Sequence, residues 1–142
     1  MGKIVVDRGL EEYTIEDING KCLGKFSFNP SDIELVKRYE KVADAISHIA
    51  DGVDTSKDLS DIISGLEEKM YEQIDFLFNA EVSKDIFAIT SPYSVLANGE
   101  FFIESVLDAI ANLIEAETGK RYKKMQVKVN DKIGKYTKKY HK

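Results

Sequence analysis

Apolar residues recur along most of this chain at the spacing of amphipathic helices. Residues 35–50 place aliphatic and aromatic side chains on one face at 100° per residue, and residues 59–77 repeat the pattern at spacings of three and four. A third run occupies residues 98–114, and we expect Thr118-Gly119 to end that helix. The pattern therefore predicts three long helices.

Two short segments before the first helix read as β-strands. Residues 13–18 predict one strand and Cys22–Phe28 the other, and Asn19-Gly20 between them supplies the two positive-φ residues of a tight hairpin turn. A lone hairpin is marginal in water, so these strands should pack on the helices. Residues 82–87 add one or two helical turns. We therefore predict an α+β fold, mostly α, in which an N-terminal β-hairpin or small antiparallel sheet packs on a bundle of three long helices.

The C-terminal arm after Thr118 has a regular order of its own. Its apolar and aromatic residues are spaced 3, 4, 4, 3 and 4 and fall within an arc of roughly 80° on a helical wheel; these stripe residues are Tyr122, Met125, Val129, Ile133, Tyr136 and Tyr140. Every lysine from Lys123 onward lies on the other side. The competing prediction is a strand at residues 125–129, where alternation is also clean. We favour a basic amphipathic helix because its pattern spans more residues.

Charge divides the chain at the same place. Residues 1–118 hold 10 basic and 24 acidic residues, a balance of −14, whereas residues 119–142 hold 10 basic residues and one acid, a balance of +9. We therefore predict an acidic α+β globular domain at 1–118 and a basic C-terminal arm at 119–142. Such an asymmetry indicates a protein partner, or a homo-oligomer formed through acidic body and basic arm, where the body is the domain at 1–118. The candidate partner-binding residues are Tyr122, Met125, Val129, Ile133, Tyr136, Tyr140, Lys123, Lys124 and Lys128.

The residue types that carry catalysis are scarce. Of two histidines, His48 should face solvent from the first helix and His141 is the penultimate residue. Neither has a cysteine or second histidine at the spacing of a zinc site. Cys22 is the only cysteine, which fits a reducing compartment, and we expect it to pack within its strand rather than act as a nucleophile. The sequence therefore predicts a protein that is not an enzyme, with no catalytic residues, no cofactor and no metal.

A basic arm is also typical of proteins that bind two other kinds of partner, nucleic acid and membranes. An acidic body repels phosphates, so we keep nucleic-acid binding only as a third hypothesis, which predicts a steep salt dependence. No stretch approaches the ~20 apolar residues that a membrane-spanning helix needs. We therefore expect a cytoplasmic protein with protein partners and no membrane contact.

The order of parts resembles a known family. Its short motifs are Ile18-Asn-Gly20 at the turn, Phe26-Ser-Phe-Asn-Pro30 leading into a helix with Val36-Lys-Arg-Tyr-Glu40, Asp85-Ile-Phe87, the Ser91-Pro-Tyr-Ser94 loop, and Phe101-Phe102 in a helix with a Lys-rich end. This arrangement is similar to the tail assembly chaperone family of long-tailed (siphovirus-type) bacteriophages of Gram-positive bacteria. The resemblance spans most of the chain.

The resemblance implies a non-enzymatic chaperone for phage tail assembly. Such a protein shields the tape measure protein, recruits tail tube subunits, or does both, in the cytoplasm of the infected bacterial host, and is absent from the mature virion. The prediction made from the residues is consistent with this role, because a helical protein with an available apolar groove can cover the apolar stripe of a partner helix. The alternative is a structural virion component, namely a tail completion or head–tail connector protein.

Overall fold

The structure is a computed structural model that describes the backbone of residues 1–140 and the side chains of residues 1–126. Its elements in chain order are β1 (Glu11–Glu16), β2 (Cys22–Phe28), α1 (Ile33–Ser47), α2 (Leu59–Phe78), α3 (Ser83–Ile86) and α4 (Phe102–Tyr140). Strands β1 and β2 form a two-stranded antiparallel sheet. The predicted fold class, α+β and mostly α with an N-terminal hairpin on helices, is confirmed.

The hairpin turn is built differently from the predicted one. Of its two central residues, only Gly20 has a positive φ, of 83°. The Asp17 main chain makes two hydrogen bonds, donating to the Lys21 carbonyl at 2.9 Å and accepting from the Gly20 N–H at 3.0 Å. The Asp17 carboxylate also accepts from the N–H groups of Asn19 and Lys21. Because Asp17 belongs to the turn, β1 ends at Glu16 and not at the predicted residue 18.

Helices α1 and α2 are capped by short polar residues. The Asp32 carboxylate accepts a hydrogen bond from the Glu34 N–H at 2.9 Å, which satisfies one of the free donors at the start of α1. Helix α2 ends at Asn79, whose left-handed backbone has φ 51°. The Arg38 Nε donates to the Leu77 carbonyl at 2.9 Å, so a side chain of α1 satisfies an acceptor in the last turn of α2.

The core draws on β2 and all four helices, and aromatic contacts join the hairpin to α2. The Phe78 ring centroid lies 4.7 Å from that of Phe26 and 5.1 Å from that of Phe28, both edge-on. This cluster is what holds a two-stranded sheet that would be marginal alone. The buried apolar residues are Phe28, Leu35, Val42, Met70, Ile74, Leu77, Phe78, Val82, Ile86, Phe87, Ile103, Val106 and Ile110.

Helix α4 does not end where the sequence predicted. The expected stop at Thr118-Gly119 is wrong, because the helix passes through both residues and continues to Tyr140. A glycine in a helix interior costs only about 1 kcal/mol relative to alanine, and the lysine- and arginine-containing turns beyond it favour helix. The alternative strand at residues 125–129 is also wrong, since the segment is helical, and the helical interpretation of the arm is confirmed. The division into two parts at residue 118 stays a prediction.

The first turns of α4 pack on the core. The Phe101 N–H donates to the Glu104 carboxylate at 2.8 Å, which caps the start of the helix. Ile103, Val106 and Ile110 are buried, at the spacing of one helix face. Ile103 is the most deeply buried of the three, with a side chain only 2% exposed. This half of α4 therefore belongs to the core and positions the second half of the helix.

Candidate protein-binding surface

An open apolar groove lies between the hairpin and the first half of α4. Its volume is about 300 Å³. Its aromatic and aliphatic lining comes from both strands, from the end of α2 and from α4; the lining includes Tyr13, Ile15, Phe26, Phe28, Phe78, Val106, Ile110 and Leu113. We call this surface the hairpin groove. The lining joins buried core residues to the half-buried side chains of Tyr13, Ile15 and Leu113.

The alternation of β1 explains how the groove forms. Tyr13 and Ile15 are half-buried, whereas Glu12 and Thr14, which alternate with them, are exposed. Successive side chains of a strand point to opposite faces, so the first pair faces the helices and the second pair faces solvent. The Tyr13 ring lies 4.8 Å from the Phe28 ring, which extends the aromatic cluster into the groove wall. Two strands are too few to cover α4, and its apolar face stays partly open beside them.

Arg121 ties α4 to the segment that precedes β1. Its guanidinium donates to the Asn29 side-chain oxygen through Nη1 and to the Gly9 carbonyl through Nη2 at 3.1 Å. The same Nη2 lies 3.3 Å from the Glu11 carboxylate. Asn29 in turn donates through Nδ2 to the Arg8 carbonyl at 3.0 Å. We call this network the Arg121 clamp, and it fixes the second half of α4 to the body at its start.

Tyr13 and Glu11 form a hydrogen-bonded pair next to the clamp. The Tyr13 hydroxyl donates to the Glu11 carboxylate at 2.6 Å. That hydrogen bond, with the Arg121 guanidinium as a further cause, lowers the pKa of Glu11. Burial raises the pKa of Tyr13, and the negative charge of Glu11 raises it further. Both shifts keep Glu11 ionised and Tyr13 neutral around pH 7, which suits a structural pair rather than a proton-transfer group.

The predicted partner-binding residues begin just past the clamp. Tyr122 and Met125 are 56% and 51% exposed, and Lys123 and Lys124 are exposed beside them. None of the four lines the hairpin groove, so the groove and the start of the stripe are separate surfaces. The other predicted residues lie outside the part whose side chains the structure describes, and their role stays a prediction; they are Lys128, Val129, Ile133, Tyr136 and Tyr140.

The residues considered for chemistry do not form a site. Cys22 was expected to pack, but its side chain is exposed because the irregular register beside Glu16 places it at the strand end next to the turn. His48 is on the surface, as predicted, and its Nδ1 lies 3.0 Å from the Asp51 carboxylate. Among residues with described side chains, no three His, Cys, Asp or Glu could together hold a metal ion. His141 lies outside the described residues.

Two results beyond this surface bear on function. No helix in the described part of the chain combines the length and the apolar character needed to cross a membrane. Comparison of the chain with protein-family models, with curated proteins and with solved structures gives no match. The groove, the exposed residues of α4 and the clamp between them are therefore the features from which a function can be inferred.

Sequence reasoning missed both the groove and the clamp. The groove had a signal, since a hairpin of two short strands with aromatic inward positions cannot cover a long helix. Arg121 looked like one of ten cations of the arm. Its spacing of four from Glu117 and eight from Leu113 places all three near one side of α4, which is the side that meets the body. Its partners Gly9 and Asn29 are too distant in sequence for any local pattern to reveal.

Proposed function

We propose that this protein is a non-enzymatic chaperone of phage tail assembly, which binds the tape measure protein, recruits tail tube subunits, or does both. The hairpin groove is the observation that carries the proposal. An apolar groove open at the surface is the complement of an amphipathic helix, and a tape measure is a long helical protein whose apolar stripes need cover. The family resemblance in the order of the parts supports the same proposal.

The lining of the groove favours one kind of partner segment. Tyr13, Ile15 and Leu113 are half-buried apolar residues of the lining, and the exposed Glu16 also belongs to it. Glu117 is close enough to raise the pKa of Tyr13 through its charge. A helix with apolar anchors three and four residues apart and lysine or arginine on its flank would satisfy both features. Such a segment would also leave no buried charge unpaired.

Binding to a growing tail places the protein in the cytoplasm of the infected host and outside the finished particle. Mass spectrometry of purified particles and of the lysate from the same infection tests this. We expect peptides of this protein in the lysate and none in the particles. Stoichiometric amounts in the particles would instead favour the alternative, a tail completion or head–tail connector protein.

Co-expression with the tape measure protein of the same phage tests the groove directly. We expect the wild-type protein to keep the tape measure soluble and the variant Leu113→Glu to lower the soluble fraction at least about tenfold, because a charge would have to enter an apolar contact. Ile89→Glu is the matched control, since Ile89 is exposed and lies outside the groove. Circular dichroism verifies that each variant folds.

A milder variant covers the case in which Leu113→Glu does not fold. Ile15→Thr keeps the β-branched shape of a half-buried strand residue and removes apolar surface from the groove. We expect it to weaken tape measure binding without loss of the fold. Full solubilisation of the tape measure by both folded groove variants would rule out the hairpin groove as its binding site.

The predicted stripe is tested by shortening α4. A chain that ends at residue 126 keeps the Arg121 clamp, Tyr122 and Met125 and loses the rest of the stripe. We expect weaker tape measure binding with an unchanged urea midpoint of the body. A chain that ends at residue 118 also loses the clamp, so we expect it to unfold at lower urea. Equal tape measure binding by the full chain and the chain ending at residue 126 would remove the stripe from the proposal.

A further inference from the structure

The segment before β1 carries strand-forming residues that are largely exposed. Ile4, Val5 and Val6 are 93%, 80% and 72% exposed. Residues 1–10 form no strand in the structure. Consecutive β-branched residues favour strands, and three adjacent exposed ones are unusual on a surface in water. The segment therefore has the composition of a strand without a partner.

Hydrogen bonds tie the C-terminal end of this segment, at Arg8 and Gly9, to the rest of the chain. Gly9 has φ 71°, and its N–H donates to the Asp7 carboxylate at 2.8 Å. The Arg8 and Gly9 carbonyls accept from Asn29 and Arg121 respectively, as part of the Arg121 clamp. A Cβ on Gly9 would lie 2.8 Å from the Asn29 Nδ2, so the close approach also requires glycine. With these contacts in place, residues 1–10 form no ladder with β1 of the same chain.

Strand β1 offers a place where such a segment could add. In the described part of the chain, β1 pairs on one side with β2 and its other edge is unpaired. An unpaired edge presents a row of main-chain N–H and C=O groups that a further strand can satisfy. The six residues of β1 match the length of residues 2–7. Each copy of the chain therefore has both an exposed strand-forming segment and a strand edge to which such a segment could add.

We propose that the segment of Ile4, Val5 and Val6 adds as a third strand to the β1 edge of a second copy of this chain. Charge supports this occupant. Residues 1–10 carry Lys3, Asp7 and Arg8, a net charge of +1, whereas β1 carries Glu11, Glu12 and Glu16. Two copies can exchange segments reciprocally, which satisfies both edges and closes a two-fold dimer. The pairing is independent of the chaperone proposal.

The added strand would also extend the hairpin groove. Side chains of a strand alternate between faces, so Ile4 and Val6 share one face and Val5 takes the other. In the register that puts Ile4 and Val6 on the face of Tyr13 and Ile15, both continue the apolar wall of the groove. Burial of three exposed aliphatic side chains would then add to the main-chain hydrogen bonds.

Sedimentation equilibrium over a wide concentration range tests the proposal with the full chain. We expect the wild type to dimerise and Val5→Pro to raise the dissociation constant at least ~10-fold, because proline removes one of the few main-chain donors of this short edge strand. Val5→Thr is the matched control, since it keeps the donor and the β-branched shape, and it should dimerise like the wild type. Val5 is exposed, so all three proteins should have the same circular dichroism spectrum and urea midpoint.

Hydrogen exchange locates the contact. We expect the amides of β1 to exchange more slowly as the concentration of wild-type protein rises, and to show no such change in Val5→Pro. Three results would overturn the proposal: a wild type that stays monomeric at all concentrations, a Val5→Pro protein that dimerises as tightly as the wild type, or a dimer whose β1 amides gain no protection.

Discussion

The two halves of α4 share one helix and differ in what covers them. Ile103, Val106 and Ile110 in the first half are buried against the body, whereas Tyr122 and Met125 in the second half are exposed. Both sets recur at the helical period. The period of apolar residues therefore reports which face of a helix is apolar, and says nothing of whether that face meets the same chain or another one.

The difference also explains how the exposed half can stay helical. An isolated helix pays a nucleation cost that makes short helices marginal in water, whereas a helix that extends an existing one adds residues without that cost. The buried half of α4 is the nucleus, and the Arg121 clamp holds the junction. From residue 119 to Tyr140 the helix extends about 33 Å at 1.5 Å per residue. Tyr122 and Met125 therefore lie at the start of a helical segment long enough for a partner helix to pack along it.

Alanine substitutions in the two halves should give the largest contrast. Ile103→Ala removes a fully buried side chain and leaves a cavity, so we expect it to lower the free energy of unfolding by about 2–5 kcal/mol. Met125→Ala should change it by less than about 0.5 kcal/mol, since the side chain is half in water. Urea denaturation followed by circular dichroism measures both. A Met125→Ala loss as large as that of Ile103→Ala would mean that the body covers the second half too.

Loss of the clamp should have an intermediate effect. Arg121→Ala leaves the Gly9 carbonyl and the Asn29 oxygen without a charged donor, and we expect a loss of about 1–2 kcal/mol because the site is partly open to water. Lys124→Ala, one turn further on at an exposed position, is the control and should change stability by less than about 0.5 kcal/mol. Equal urea midpoints for the two variants would show that the clamp adds nothing to stability.

The same contrast separates what the sequence could and could not predict. The long helices followed from periodicity, and α1 starts at Asp32 and α2 ends at Asn79 as the local chemistry of these residues favours. These features depend on neighbours within one or two turns. The stop at Gly119 failed because a local signal for ending a helix was weaker than the continuing helix on both sides.

The candidate site lay beyond sequence reasoning for a related reason. The hairpin groove joins β1, β2, α2 and α4, and the clamp joins Gly9 and Asn29 to Arg121, which is 92 residues after Asn29. No period links such positions. The helical stripe that begins at Tyr122 and Met125, in contrast, was predicted from its own period, and its role in partner binding stays a prediction.

The smallest effect we expect is a pH dependence of the tie between the hairpin and α4. The pKa of Glu11 is lowered from its ordinary value of 4.5 by the Tyr13 hydroxyl and then by Arg121, so the fold favours the carboxylate. A group with a lowered pKa stabilises the fold above its unfolded value, and that contribution is lost as the pH falls through the folded value. Glu11→Gln should therefore lower the urea midpoint at pH 7, and its difference from the wild type should shrink as the pH drops below 4.5.

Glu12, which neighbours Glu11 in β1, provides the control for this small effect. Glu12 points away from the helices and its carboxylate lies 3.2 Å from the Lys25 ammonium in an exposed pair, which contributes little. We expect Glu12→Gln to shift the urea midpoint at pH 7 less than Glu11→Gln. A difference between Glu11→Gln and the wild type that stays constant from pH 7 to below 4.5 would contradict an ionic tie. The charge of Glu11 would then add nothing to the tie between the hairpin and α4.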